Sequence, residues 1–305
     1  MRVNALLPFL LLSVVPLAPA LAATGATAAA ETRTVAVNGH PMAYRRIGPA
    51  HGIPLLLLNR FRGTMDHWDP LLLDRIAAER PVIVFDQPGF ARSGGTAPDS
   101  LSGFAASAVA LLDALGHTQV DVLGFSMGGT VALQLALDHP GRVRRLIVAG
   151  SGPGFVPDMP PGVEPAGPAV WQVATKPVND DEDFLFLFFE ETASSRAAGK
   201  AYLQRLRARS DAFAKQVDAA AWQAQLRSAQ AVGTASTTLL PRLARIRQPV
   251  LVANGRHDIM VPTYASYAMA QALPDARLIV YPDSGHGFLF QHAEPFARDV
   301  LEFLR

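Results

Sequence analysis

Cysteine is absent from the 305-residue chain. That one absence excludes disulfides, thiolate zinc sites, iron–sulfur clusters and a cysteine nucleophile. A charge excess of either sign is missing too, with 27 Lys and Arg against 26 Asp and Glu, so nothing in the balance favours nucleic acid or an anionic membrane. Charged residues make up 17% and hydrophobic ones 50%, which excludes a disordered chain and leads us to expect a packed, soluble domain. At about 150 residues per domain the length falls between one domain and two. One domain is the starting expectation.

An apolar run long enough to span a bilayer, roughly 20 residues, is also lacking at the N-terminus. There Met1-Arg2 precedes the apolar stretch Ala5 to Leu17, which is broken by Pro8 and Pro16 and followed by Ala20-Leu21-Ala22. The pattern is that of a secretory signal cleaved after Ala22, which implies a periplasmic or secreted protein with no stable membrane anchor. Without cysteine, a lipoprotein anchor is excluded. Residues 23–32 have no periodicity and are expected to form a flexible lead-in.

From Arg33 the pattern alternates. Val35, Val37, Met42 and Tyr44 flank Asn38-Gly39, the signature of a hairpin. Short continuous apolar runs follow at Leu55–Leu58, Val82–Phe85, Val120–Leu123, Leu146–Ala149, Val250–Ala253 and Leu278–Tyr281. Such runs suit parallel strands buried on both faces. Helical spacing fills the intervals at Asp66–Ala78, Ser100–Leu115, Met127–Asp138 and Thr263–Leu273, so the fold class is α/β. Between Gly150 and Pro249 lie 98 residues, where a whole βαβ unit needs roughly 30. This stretch opens with the Pro- and Gly-rich Ser151–Pro168 and continues through Phe184–Phe189 and Ala197–Arg227. The expected organisation is a core of residues 33–150 and 236–305 with a helical cap at 151–235. A second independent domain is the alternative, but the phenylalanine-rich segment must bury against something, and the top of the sheet is the nearest large surface.

The sharpest motif is Gly124-Phe125-Ser126-Met127-Gly128, set between an apolar strand and an apolar-periodic helix. A serine on so tight a turn needs small residues two before and two after it, so that strand and helix can approach. The alternative is a glycine-rich structural turn. Read as chemistry, Ser126 is a nucleophile, and the Met127 N–H at the helix start is the first oxyanion donor. A serine hydroxyl needs a base, itself oriented by a carboxylate. Asp258 and His286 follow later strands in the order Ser, Asp, His expected when all three occupy the carboxyl ends of one sheet. Asp283 is nearer to His286 in sequence, but a residue on the same short loop more readily bonds its own backbone. Of the other histidines, His67 and His257 are candidates for a substrate contact; the rest have surface or helix-end readings.

On Ser126, Asp258, His286, the run Phe85 to Ser93 and the run Asn254 to Asp258, the chain resembles the α/β-hydrolase superfamily from about Arg33 to Arg305. The resemblance implies a mostly parallel central sheet with an antiparallel N-terminal hairpin, helices on both faces and an inserted cap. It also implies a second oxyanion donor after the third strand, by position the Phe61 N–H. There the chain has Asn59-Arg60 where many relatives have His-Gly, which leaves Arg60 as the next candidate for that donor. Arg60 and Arg62 are themselves expected to pair with Asp66 or Asp69. Gly150 to Gly154 contains a proline and lacks an ensuing helix, and neither a P-loop lysine motif nor His-Glu-x-x-His occurs, so no cofactor or metal is expected. The substrate is then a small molecule, a mostly apolar ester or lactone. Carbon–carbon hydrolysis of a vinylogous diketone by the same residues, and a non-catalytic ligand-binding relative, are the alternatives; a free cap arginine would favour the former. Oligomeric state has no signature in the sequence.

Overall fold

The computed structural model describes residues 25–209 and 211–305; the expected signal segment 1–22 lies outside them. Arg33–Val37 (β1) and His40–Ile47 (β2) form the hairpin, with left-handed φ of 50° at Asn38 and 80° at Gly39 making its two-residue turn. The other strands are Leu55–Leu58 (β3), Val82–Phe85 (β4), Val120–Phe125 (β5), Val143–Ala149 (β6), Val250–Gly255 (β7) and Ala276–Tyr281 (β8). One eight-stranded sheet results, in the order β1-β2-β4-β3-β5-β6-β7-β8. Only the pairings of β2 with β1 and β4 are antiparallel.

The helices, in chain order, are Ala26–Ala29 (α1), Pro70–Ala77 (α2), Leu101–Ala114 (α3), Met127–Asp138 (α4), Pro168–Ala174 (α5), Asp181–Phe188 (α6), Ala193–Leu206 (α7), Ala219–Gln230 (α8), Thr263–Ala272 (α9), Phe288–Gln291 (α10) and Ala293–Phe303 (α11). Strand side chains alternate between two cores. Leu55, Leu57, Val82 and Val84 join α2, α11 and the cap phenylalanines on one side. Leu56, Leu58, Ile83 and Phe85 join α3, α4 and α9 on the other. Every residue of β3, β4 and β5 is buried, each large apolar side chain contributing roughly 1.5–3 kcal/mol, which is why β3 and β4 read as unbroken apolar runs, while β5 is interrupted by the buried Asp121, paired with Arg80 and Arg144.

Helices α5 to α8 occupy the long interval between β6 and β7. Two stretches read as helical are each divided by a break. Asp66–Ala78 is a 3-10 turn at Met65–His67 followed by α2, because Pro70 has no N–H to continue a helix and biases Asp69 to extended backbone. Ala197–Arg227 is the end of α7 and most of α8, separated by residues 207–218. Of the flexible lead-in expected at 23–32, residues 25–32 are described, and they include the helix α1. Helix α1 is held where the Thr27 N–H donates to Asp74 Oδ1 at 2.7 Å and Arg209 Nη1 donates to the carbonyls of Ala28 and Ala30 at 3.1 and 2.8 Å.

Candidate active site

Strand register puts the site together. Leu58 pairs with Gly124, Phe125 with Ala149, Ala149 with Ala253 and Gly255 with Tyr281, so β3, β5, β6, β7 and β8 end side by side. The loops that follow carry Arg60-Phe61, Ser126, Asp258 and His286. Ser126 has φ 56° and ψ −126°, a strained geometry for a residue with a Cβ, costing about 1–3 kcal/mol. The turn is possible because a Cβ on Gly124 would stand 2.2 Å from the Gly128 carbonyl oxygen, and one on Gly128 would stand 2.1 Å from that of Leu58. Met127 is the first residue of α4, and helix-start N–H groups have no intrahelical acceptor.

His286 is fully buried. Its Nδ1 lies 2.7 Å from Asp258 Oδ2, while Asp258 Oδ1 accepts from the N–H groups of Met260 and Val261 at 2.8 and 2.9 Å. Both oxygens of that carboxylate are therefore directed. His286 Nε2 has no hydrogen-bond partner among the described residues, and His286 and Ser126 line the same pocket of about 30 Å³. The rings of Phe125 and Phe188 stand 5.0 and 5.4 Å from the imidazole. Asp283 is turned away: its oxygens accept from Thr192 Oγ1 at 2.7 Å and Ser194 Oγ at 2.5 Å, at the start of α7.

The cap is tied to the His286 loop on this side, since the Gly287 N–H donates to the Phe188 carbonyl at 2.6 Å and Ser195 Oγ to Gln291 Oε1 at 2.6 Å. His257 Nδ1 meets Glu190 Oε1 at 2.5 Å, so that candidate faces the cap rather than the Ser126 pocket. His67 lines a neighbouring chamber of about 400 Å³. Its Nδ1 accepts from the Thr64 N–H at 3.0 Å, and burial, aided by the Arg60 charge, keeps it neutral well below the usual histidine range.

Phe61 lines the Ser126 pocket. Its loop is a turn closed by the Gly63 N–H on the Arg60 carbonyl at 2.9 Å, with Arg62 left-handed at φ 55°. Gln225 of α8 accepts from the Arg62 N–H at 2.7 Å, fastening the cap to this turn. A glutamine in a polar helix carries no sequence signal for such a role. Asn59 is a tie, donating to the Phe85 carbonyl at 2.8 Å and accepting from Trp68 Nε1 at 2.5 Å. The Phe85–Ser93 motif is likewise a brace. Asp86 accepts from the N–H groups of Met65 at 2.8 Å and Arg92 at 3.2 Å.

The expected pairing of Arg60 and Arg62 with Asp66 or Asp69 does not occur. Asp66 is taken by Arg45 and Arg92, and Asp69 by Arg205. Arg62 instead donates to the carbonyls of Ala174, Lys176 and Pro177. Among the described residues the Arg60 guanidinium donates only to the Phe61 carbonyl, at 2.8 Å, and it lies 5.3 and 5.0 Å from the ring centroids of Phe184 and Phe188.

A family model described as the alpha/beta hydrolase fold matches residues 51–293, and the chain belongs to that family. It is 31% identical over 237 residues to 2-hydroxy-6-oxononadienedioate/2-hydroxy-6-oxononatrienedioate hydrolase 1 of Dechloromonas aromatica, covering 75% of this chain and 78% of that one. It is 33% identical over 246 residues to the 2-hydroxymuconate semialdehyde hydrolase of Pseudomonas putida, covering 75% and 79%. Among solved structures it is similar to an alpha/beta hydrolase fold protein from Chitinophaga pinensis, with a TM-score of 0.82, 36% identity and coverage of 91% of this chain and 98% of the other. No helix among the described residues is long and apolar enough to cross a membrane.

Proposed function

We propose that the protein is an exported serine hydrolase acting on a small carboxylic ester or lactone. The observation that carries the reading is the imidazole of His286, bonded through Nδ1 to Asp258 and with Nε2 unpartnered among the described residues, in the pocket that Ser126 lines. Ser126 Oγ bonds to the acyl carbon as its proton passes to His286 Nε2; collapse expels the alcohol, which takes that proton. Water then repeats the sequence and releases the acid. Asp258 orients the ring, and the N–H groups of Met127 and Phe61 receive the oxyanion.

A second reading, carbon–carbon hydrolysis of an oxo-dienoate, is favoured by the names of the two relatives. The free cap arginine that would favour it further is not supplied by Arg196, Arg205, Arg207 or Arg209, each of which pairs with an acidic side chain. The test is a panel of p-nitrophenyl esters and lactones set against a dienol diketone, with fluorophosphonate labelling of the wild type and Ser126→Ala. Labelling retained in Ser126→Ala would remove the serine from its role, and turnover of the diketone alone would reverse the order of the two readings.

A further inference from the structure

Two arginines are buried among the described residues, Arg45 and Arg60, and of these only Arg45 is neutralised by a carboxylate, as several half-buried arginines are. Arg45 meets Asp66 at 2.7 Å, Arg80 and Arg144 share Asp121 at 2.6 and 2.7 Å, and Arg205 meets Asp69 at 2.6 Å. Arg60 is more than nine-tenths buried, and its Nε and Nη2 have no hydrogen-bond partner among the described residues. A carbonyl and two ring faces offset part of the desolvation of the cation, but neither supplies the counter-charge that a buried guanidinium ordinarily requires. Burial lowers its pKa to about 10, which leaves it charged at neutral pH.

Position gives this unneutralised charge a meaning. Arg60 lines the small pocket that holds Ser126 and His286, and it also lines the 400 Å³ chamber, with Arg62, Asn179 and Phe184 common to both. A ligand whose acyl carbon meets Ser126 therefore lies beside a guanidinium with two undirected donor nitrogens. A carboxylate matches that fork in charge and in plane. We infer that Arg60 is the anion-recognition residue of the Ser126 pocket, so that the substrate is an acyl compound bearing a carboxylate near the scissile bond. The inference rests on the hydrolase reading for the position of the scissile bond, but not for the anion site itself.

Half-esters test it: mono-p-nitrophenyl succinate, glutarate and adipate, each against the neutral ester in which methyl replaces the carboxylate. The wild type should prefer at least one half-ester in kcat/KM. Arg60→Met, which keeps the length and removes the charge, should lower that preference roughly 10- to 100-fold, mainly through KM. Arg60→Lys should retain part of it. A wild-type preference for the neutral ester throughout the series overturns the inference without recourse to any variant. So does an equal loss of kcat on charged and neutral esters in Arg60→Met, since the guanidinium would then serve the oxyanion.

Titration calorimetry of glutarate into Ser126→Ala and into the double variant Ser126→Ala/Arg60→Met covers the case in which no ester turns over. Saturable heat lost in the double variant supports the anion site, and absence of binding to Ser126→Ala overturns it. Failure of the hydrolase reading is seen separately, as absence of fluorophosphonate labelling at Ser126.

Discussion

Asp258 and Asp283 lie 28 and three residues before His286, and sequence distance alone would choose the nearer. The 2.7 Å contact belongs to Asp258, whereas Asp283 receives two hydroxyls from the cap. Asp258→Asn is expected to cut kcat by up to about 10⁴-fold, through the wrong imidazole tautomer. Asp283→Asn is expected to affect stability far more than rate; kcat measured beside thermal unfolding of both variants decides, and the reverse ranking would move the orienting role to Asp283. His67 supports a prediction about pH. Burial keeps its folded form neutral well below the ordinary histidine value of 6.5, so below pH 6.5 the unfolded chain binds more protons and stability is lost as pH falls. The loss reaches at most about 2 kcal/mol by pH 5. His67→Gln keeps an acceptor for the Thr64 N–H in the same capping box and should flatten the fall in Tm between pH 7 and pH 5; an unchanged slope would assign the acid sensitivity elsewhere. At this scale the placement of Ser126, Asp258 and His286 after neighbouring strand ends was legible, because tight turns and strand ends demand particular residues. The partners of Arg60 and Arg62 were not, because pairing depends on which of several nearby acids the fold has already committed.

Helix α6 places Phe184 in the wall between the Ser126 pocket and the larger chamber, while Leu187 and Phe188 line the pocket alone. Phe184→Ala should therefore join the two spaces and shift preference toward longer acyl chains, read as the ratio of kcat/KM for p-nitrophenyl octanoate to that for the butanoate. Equal loss on both esters in a folded variant would show that Phe184 is not a selectivity wall. The inner strands were legible, since burial on both faces leaves unbroken apolar runs such as Leu55–Leu58, whereas β8, at the edge of the sheet, buries only Tyr281 and not both faces of its apolar run. Helix limits were less legible. The stretch 207–218 contains no proline or glycine to announce the break between α7 and α8, and its interruption goes with tertiary contacts such as the Phe213 N–H on Asp66 Oδ2 at 3.0 Å.

For the whole molecule, export after Ala22 would leave a chain that starts three residues before α1, and mass spectrometry of the secreted protein should find Ala23 first. Since α1 is anchored to Asp74 and Arg209, deleting residues 23–32 should lower Tm by several degrees. An unchanged Tm would mean that those bonds contribute nothing. A segment of Ala, Thr and Gly with a single Glu has too little pattern for this docking to be read in advance; its hydrogen bonds run through backbone groups that every sequence shares. The fastening of the cap to the His286 loop has a consequence for chimeras. Residues 151–235 can be drawn as an insert between two strands, yet Phe188, Thr192, Ser194 and Ser195 all find their partners between Asp283 and Gln291. Cap and loop are thus one joined unit split across the chain, and a graft that transplants the insert without residues 283–291 carries half of a joint.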